Sequence, residues 1–248
     1  MKKYELTSEY IEVFGRKLFR IKALIAFGSI EVGELGGYVE TENNLSQSGN
    51  AWVYGDARVS GNARVSDNAR VYGDAWVSGN AMVYGDARVY GNAWVSDNAM
   101  VYGDAWVSGN AMVYGDARVY GDARVSDNAR VYGDARVYDN AWVYGDARVS
   151  DNAMVYGDAR VSDNAWVYGD ADITKETHLI TIGAIGSRND FTTFFRSKTK
   201  EILVRCGCFR GNIKEFETAV LDEHKGTKHE KTYKIAIALA KVQIEMEG

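Results

Sequence analysis

A six-residue period through the middle half of this chain leaves few folds open. From Ala51 to Ala171 alanine returns at every sixth residue. Valine does the same from Val53 to Val167, with Ile173 in the next slot. The unit reads V-[Y/S]-[G/D]-[D/N]-A-x and runs for twenty intervals without an insertion. Six is neither the 3.6 of an amphipathic helix nor the 2 of a half-buried strand. It is the period of a β-helix in which each hexad supplies one short strand and one corner. In "ARVYGD" the run Arg-Val-Tyr is extended, so valine points one way and its neighbours the other. Valine goes inward and stacks on the valine of the next coil, while alanine is small enough to enter the narrow interior at the corner. Gly-Asp, Gly-Asn and Asp-Asn supply the turn, because these residues tolerate left-handed backbone best. Composition agrees: 26 glycines and no proline suit a backbone that turns often and puts nearly every N–H into a ladder.

Position by position, "VSDNAW" at 161–166 resembles the motif of hexapeptide-repeat proteins, aliphatic first and small fifth. The resemblance implies a left-handed parallel β-helix with three hexads, about 18 residues, per coil. Left-handed crossovers run against the usual rule for parallel strands, so the hand rests on the resemblance alone. Twenty intervals then make about seven coils and a column about 33 Å long at ~4.8 Å per coil. The expected fold is mainly β: a single-stranded left-handed parallel β-helix over 49–173, an N-terminal β cap over 1–48, and a small C-terminal α+β domain over 174–248.

The flanks carry their own signals. "YIEVFGRKLFRIKAL" reads as a hairpin turning near Gly15-Arg16, with Ile11, Val13, Leu18, Phe19 and Ile21 available for a core. A cap is needed because the open end of a ladder is an exposed edge. After the repeat, "HLITIG", "FTTFF" and "EILVRCGCF" read as strands. Asn212 three residues before Glu215 has the form of a capping box, with Ile213, Phe216 and Val220 on one helical face and Gly226 as a stop. A second helix runs through Tyr233, Ile237, Ala240 and Ile244, giving a helical hairpin. Together "GELGGYVETENNLSQSGNAWV", the hexads, "GSRNDFTTFF" and "CGCFRGNIKEFETAV" resemble hexapeptide-repeat proteins of bacteriophages and prophages. That resemblance implies a phage or prophage context and transfers no catalytic residue.

The net charge of −5 argues against a generally basic nucleic-acid surface, so nucleic acid is not an expected partner. No apolar run approaches the roughly 18 residues of a membrane span. "MKKYELTSEY" has no apolar region of the signal-peptide kind behind it. The expected location is the cytoplasm of a host cell, with the virion as the alternative. Hexapeptide β-helices include acyltransferases and a class of carbonic anhydrase that use histidine near the coils. Here His178, His224 and His229 all lie outside the hexads, so no catalytic residue and no cofactor is expected. Cys206, Cys208, His224 and His229 loosely resemble a zinc set, but one residue between the cysteines fits zinc poorly. The favoured reading places both cysteines on one face of a strand as structural thiols, with zinc as the alternative.

At about 18 residues per coil the outward residues fall on three sides. One side carries Met82, Tyr84, Met100, Tyr102, Arg118, Tyr120, Arg136, Tyr138, Met154 and Tyr156. Trp52, Trp106 and Trp142 fall on a second, and Trp76, Trp94 and Trp166 on the third. Aromatics, methionine and arginine are the residues enriched at interfaces, so the Met/Tyr side is the expected contact of a homodimer or homotrimer. Residues 67–96 and 97–126 match at 27 of 30 positions, as a duplication of five hexads would leave them. Thirty is not a multiple of 18, so the copy is rotated by two thirds of a coil. A site written on one side would be scrambled by such an event, whereas a stiff rod survives it.

The expected function is a non-enzymatic phage or prophage scaffold or interaction protein. Its rigid, self-associating β-helix would carry a C-terminal domain that binds a host or phage protein. One alternative is an inhibitor or mimic acting on host nucleic-acid or defence machinery, which the acidic rod favours and ten outward arginines in the hexads oppose. Another is a virion stalk or fibre component.

Overall fold

Each hexad folds into one two-residue strand and one corner, as in Met100–Val101 followed by Tyr102-Gly103-Asp104. The structure, a computed structural model, describes residues 1–246. Strands three hexads apart pair in parallel and in register, so that Val77 lies beside Val95 and Val95 beside Val113. The column therefore has three flat sides. The first runs from Arg58–Val59 to Trp166–Val167, the second from Trp52–Val53 to Arg160–Val161, and the third from Arg64–Val65 to Asp172–Ile173.

All the hexad valines and alanines are buried. Backbone bonds join the rungs, with Met100 N–H donating to Ala117 O at 2.9 Å and Tyr102 N–H to Val119 O at 3.0 Å. One hexad alone buries a valine and an alanine. A fully buried valine contributes about 1.5–3 kcal/mol, far less than ordering six backbones at ~1–2 kcal/mol each. Stacking supplies the ladder bonds and closes the interior, so each coil depends on its neighbours.

The third residue of every hexad has a left-handed backbone, φ from +54° to +72°. Fourteen of these corners are glycine, and six are aspartate: Asp67, Asp97, Asp127, Asp139, Asp151 and Asp163. The corners obey a vertical rule. The corner one coil above an aspartate is glycine wherever the column continues, and the aspartate carboxylate accepts that glycine's N–H. Gly115 N donates to Asp97 Oδ2 at 3.1 Å, and Gly145 N to Asp127 Oδ2 at 3.1 Å. The next position carries a parallel amide ladder, Asn80 Nδ2 to Asn98 Oδ1 at 3.0 Å and Asn98 Nδ2 to Asp116 Oδ1 at 3.1 Å.

The column is one turn longer than the hexads indicate, about eight turns rather than seven. Strand β3 (Leu35–Val39) pairs with Arg58–Val59, Val39 against Val59, and Leu45 bridges to Val65. These two occupy valine slots, but eight residues separate Leu45 from Val53, which hides the period. Gly36 and Gly37 let β3 approach closely: a Cβ at Gly36 would lie 2.5 Å from Val53 O, and one at Gly37 2.6 Å from Ala57 O.

β1 (Tyr4–Val13) and β2 (Arg16–Ala23) form the expected antiparallel hairpin and extend the first side through β3. Their Tyr4, with Phe27, closes edge-on over Trp52, which is fully buried rather than displayed on the second side. Lys3 reaches into the open end and donates to Ala51 O at 3.0 Å, and burial lowers its pKa to about 8.

Beyond Ile173 the chain forms an antiparallel sheet of Leu179–Ile185, Asp190–Arg196, Ile202–Cys206 and Phe209–Asn212, in that order. Helices α1 (Ile213–His224) and α2 (Lys228–Gln243) pack on it. The Asn212 side chain accepts from Lys214 N and Glu215 N at 3.0 Å each, and Glu215 closes the capping box by accepting from Asn212 N at 2.8 Å. "EILVRCGCF" is two strands and not one. Gly207 turns with φ +56°, so Cys206 ends a strand, while Cys208 sits exposed in the turn and not on the same face.

Candidate functional site

The candidate features lie on the outer sides of the column and on the domain fixed to its end. Tyr84, Tyr102, Tyr120, Tyr138 and Tyr156 stack in one continuous file. Successive centroids are 4.8–4.9 Å apart and the rings lie within 5° of parallel. The rung spacing of a parallel sheet imposes this distance. Met82, Met100, Arg118, Arg136 and Met154 form the adjoining file on the same strands. The structure thus brings all ten sequence-selected residues onto one side. Each tyrosine covers the ring faces of its neighbours, leaving the residues half-buried, with the Arg118 and Arg136 side chains more open. Burial beside neighbouring phenols pushes Tyr138 up to about 12.

The second side carries an alternating file. Arg88, Trp106, Arg124, Trp142 and Arg160 follow one another up the column, each guanidinium 4.9–5.4 Å from the next indole centroid. Arginine above and below tryptophan spreads charge over an aromatic ladder by cation–π contact. The duplication seen in the sequence moves Trp76, on the first side, to Trp106, on this one.

The terminal domain is seated on the last coil by several bonds. Arg196 pairs with Asp172 at 2.7 Å, Tyr168 Oη donates to Val204 O at 3.1 Å, and Trp166 N donates to Thr193 Oγ1 at 3.1 Å. Phe195 packs edge-on against Tyr168 and joins the core of the column. His178 is buried at the same seam. Its Nδ1 accepts from Thr174 N–H at 3.1 Å, and burial, with Arg196 and Lys175 nearby, lowers its pKa.

At this seam three guanidiniums surround one indole. Arg205 lies 4.0 Å, Arg148 4.9 Å and Arg210 5.0 Å from the Trp166 centroid. A groove of about 320 Å³ opens beside them, lined among others by Arg130, Arg148, Arg205, Trp166 and Phe191. None of these residues except Trp166 was singled out by the sequence pattern. They come from strands far apart in the chain, and the only sequence signal is arginine at 130 and 148, one coil apart.

The cysteines and histidines lie elsewhere in the terminal domain. Cys206 Sγ accepts from Thr192 Oγ1 at 3.2 Å and donates to Tyr233 Oη at 3.6 Å. His224 stacks on Tyr233 and lies 5.7 Å from His229, centroid to centroid. A cavity of about 210 Å³ between hairpin and helices is lined in part by Cys206, Cys208, His224 and Tyr233. Among the described residues, no three His, Cys, Asp or Glu side chains form a group able to hold a metal ion.

The far face of α2 is apolar. Ile235, Leu239 and Val242 are 70%, 45% and 87% exposed and recur at i, i+4 and i+7. The opposite face buries Tyr233, Ala236, Ile237 and Ala240. Among the described residues no helix is long and apolar enough to cross a membrane.

The column matches a family of repeats described as the YdcK beta solenoid repeat. The matched stretches are 57–73, 63–79, 75–91, 81–96, 93–109, 105–121, 117–130, 129–145 and 147–162, all within the column. With the parallel ladder, they mark the chain as a β-solenoid repeat protein. No curated protein matches it.

Proposed function

We propose that this chain is a non-enzymatic scaffold or interaction protein of the hexapeptide-repeat kind found in bacteriophages and prophages. The solenoid is a stiff rod that self-associates along the Met/Tyr side, and the terminal domain binds a phage or host protein. The observation that carries this reading is the apolar stripe of α2, Ile235, Leu239 and Val242, on the domain seated at one end of the rod. A helix apolar on two faces has buried one and offers the other. Lys231 precedes the stripe by one turn, which favours a partner segment with apolar residues beside an acidic one. The seam bonds at Asp172, Trp166 and Tyr168 support the reading by transmitting the rod's orientation to that surface. The phage context rests on the resemblance of the flanking segments.

The test compares affinity capture by the intact protein and by the triple variant Ile235→Ser, Leu239→Ser, Val242→Ser, with thermal melting as the folding control. Partner capture by the intact chain and its loss in a normally folded variant support the reading. Equal capture by both removes α2 as the binding surface.

A further inference from the structure

The groove beside Trp166 concentrates positive charge in excess of the carboxylates that line it. Arg130 and Arg148 are adjacent rung partners on the first side of the column. Arg205 and Arg210 are direct partners across the hairpin of Ile202–Cys206 and Phe209–Asn212. Like charges placed directly opposite destabilise a sheet, so two such pairs converging on one indole need a compensating feature. Trp166 supplies part of it by cation–π contact with Arg148, Arg205 and Arg210. Ion pairs do not supply the rest. Among the described residues, the ion pairs include none of these four arginines. Among the described residues Arg205 Nη1 donates to Phe209 O, at 3.3 Å, and its Nε is shielded from water without an acceptor. Burial and the charge of Arg210 lower the Arg205 pKa, which agrees with an under-compensated cation.

The geometry points to a phosphate-binding groove: we propose that Arg130, Arg148 and Arg205 hold the phosphoryl group of a small phosphorylated molecule whose organic part rests against Phe191. Three planar guanidiniums around one space suit a compact, multiply charged oxyanion with several acceptor oxygens better than a two-oxygen carboxylate. The volume of about 320 Å³ suits a small ligand. Asp146 and Asp190 at the groove wall oppose the three arginines and leave a small local excess. Together with the net charge of −5, they disfavour a long polyanion. Phe191, 36% exposed, gives the wall an apolar surface.

Isothermal titration of the full chain tests this with inorganic phosphate, AMP, adenosine, acetate and an oligothymidylate at matched ionic strength. Phosphate and AMP bind, AMP the tighter, while adenosine and acetate do not. Arg148→Met and Arg205→Met each weaken AMP by about tenfold or more. Arg70→Met, near the opposite end of the column, leaves it unchanged. Should Arg205→Met disturb the hairpin, Arg148→Met, on the outer surface of the column, decides together with the ligand series on the unaltered protein. The assignment is overturned by absence of phosphate and AMP binding up to about 10 mM. It is equally overturned by acetate binding as tightly as phosphate, by unchanged AMP affinity in Arg148→Met, or by oligothymidylate outcompeting AMP.

Discussion

Asp172 and Arg196 face each other across the seam between solenoid and terminal domain, Oδ2 to Nη2 at 2.7 Å, and Arg196 Nε also donates to the Asp172 carbonyl at 3.0 Å. Asp172 stands where every hexad strand from Trp52 to Trp166 holds Trp, Arg or Met. The Tyr156 hydroxyl, last in the stacked file, donates to the same carboxylate at 2.9 Å. One residue thus ends the ladder, closes the tyrosine file and anchors the next domain. Removing Arg196 alone would leave a largely covered carboxylate without its cation. Arg196→Met should cost about 3 kcal/mol, and adding Asp172→Asn should restore part of it. Urea unfolding of the two variants checks this; a double variant no more stable than the single would show that the pair is not the source of the cost.

The corner rule makes a position-specific prediction. A Cβ at Gly91 would meet the Gly109 backbone at 3.0 Å, and one at Gly115 the Gly133 backbone at the same distance. Gly91 also has glycine corners above and below it, and Asn92 follows, as in the natural Asp-Asn corners. Gly115 lies above Asp97, whose carboxylate already occupies its N–H, and Asp116 follows it. Gly115→Asp would set like charges together and should be less stable than Gly91→Asp by about 1 kcal/mol. Thermal melting in low salt compares the two, and equal melting temperatures would refute the vertical rule.

His178 makes the seam sensitive to acid. Its Nδ1 accepts from Thr174 N–H, which requires the neutral ring, and its Nε2 is buried without a partner among the described residues. Its pKa in the folded protein is lowered. The unfolded chain therefore takes up a proton first, from about pH 6.5 downward. Stability is fully present above about pH 6.5 and is lost as pH falls from there through the depressed folded value. His178→Asn, which keeps an acceptor and cannot titrate, should flatten stability between about pH 7 and 5 relative to the parent. Denaturant midpoints across that range measure the difference.

Self-association along the tyrosine file is checked by light scattering. Tyr102, Tyr120 and Tyr138 can each become serine without disturbing the rungs, because serine holds the same slot in eight hexads between Tyr54 and Tyr168. The triple variant should keep the melting transition, with a loss on the order of 1–3 kcal/mol from three stacked rings, and should lower the oligomer mass. A parent protein that is monomeric, or a variant of unchanged mass, removes this side as the interface.

Local chemistry made the column legible in advance. A valine and an alanine in every hexad permit one inward surface, and glycine or aspartate at the third place permits one corner. The Asn212 capping box and the Gly226 stop were readable for the same reason, since their bonds close within a few residues. The first coil was not readable, because Val39 and Leu45 stack on the column through a turn two residues longer than the rest. The hairpin at Gly207 was missed because "EILVRCGCF" has an apolar pattern continuous enough for one strand. The cluster at Trp166 lay beyond any local reading. Arg130, Arg148 and Trp166 are brought into line by the rung spacing, while Arg205 and Arg210 arrive only because the terminal sheet folds back onto the last coil. Periodic burial is a one-dimensional property and can be read along the chain. The convergence of charges from separate segments depends on how the end of the solenoid is capped, and that contact exists only in the folded molecule.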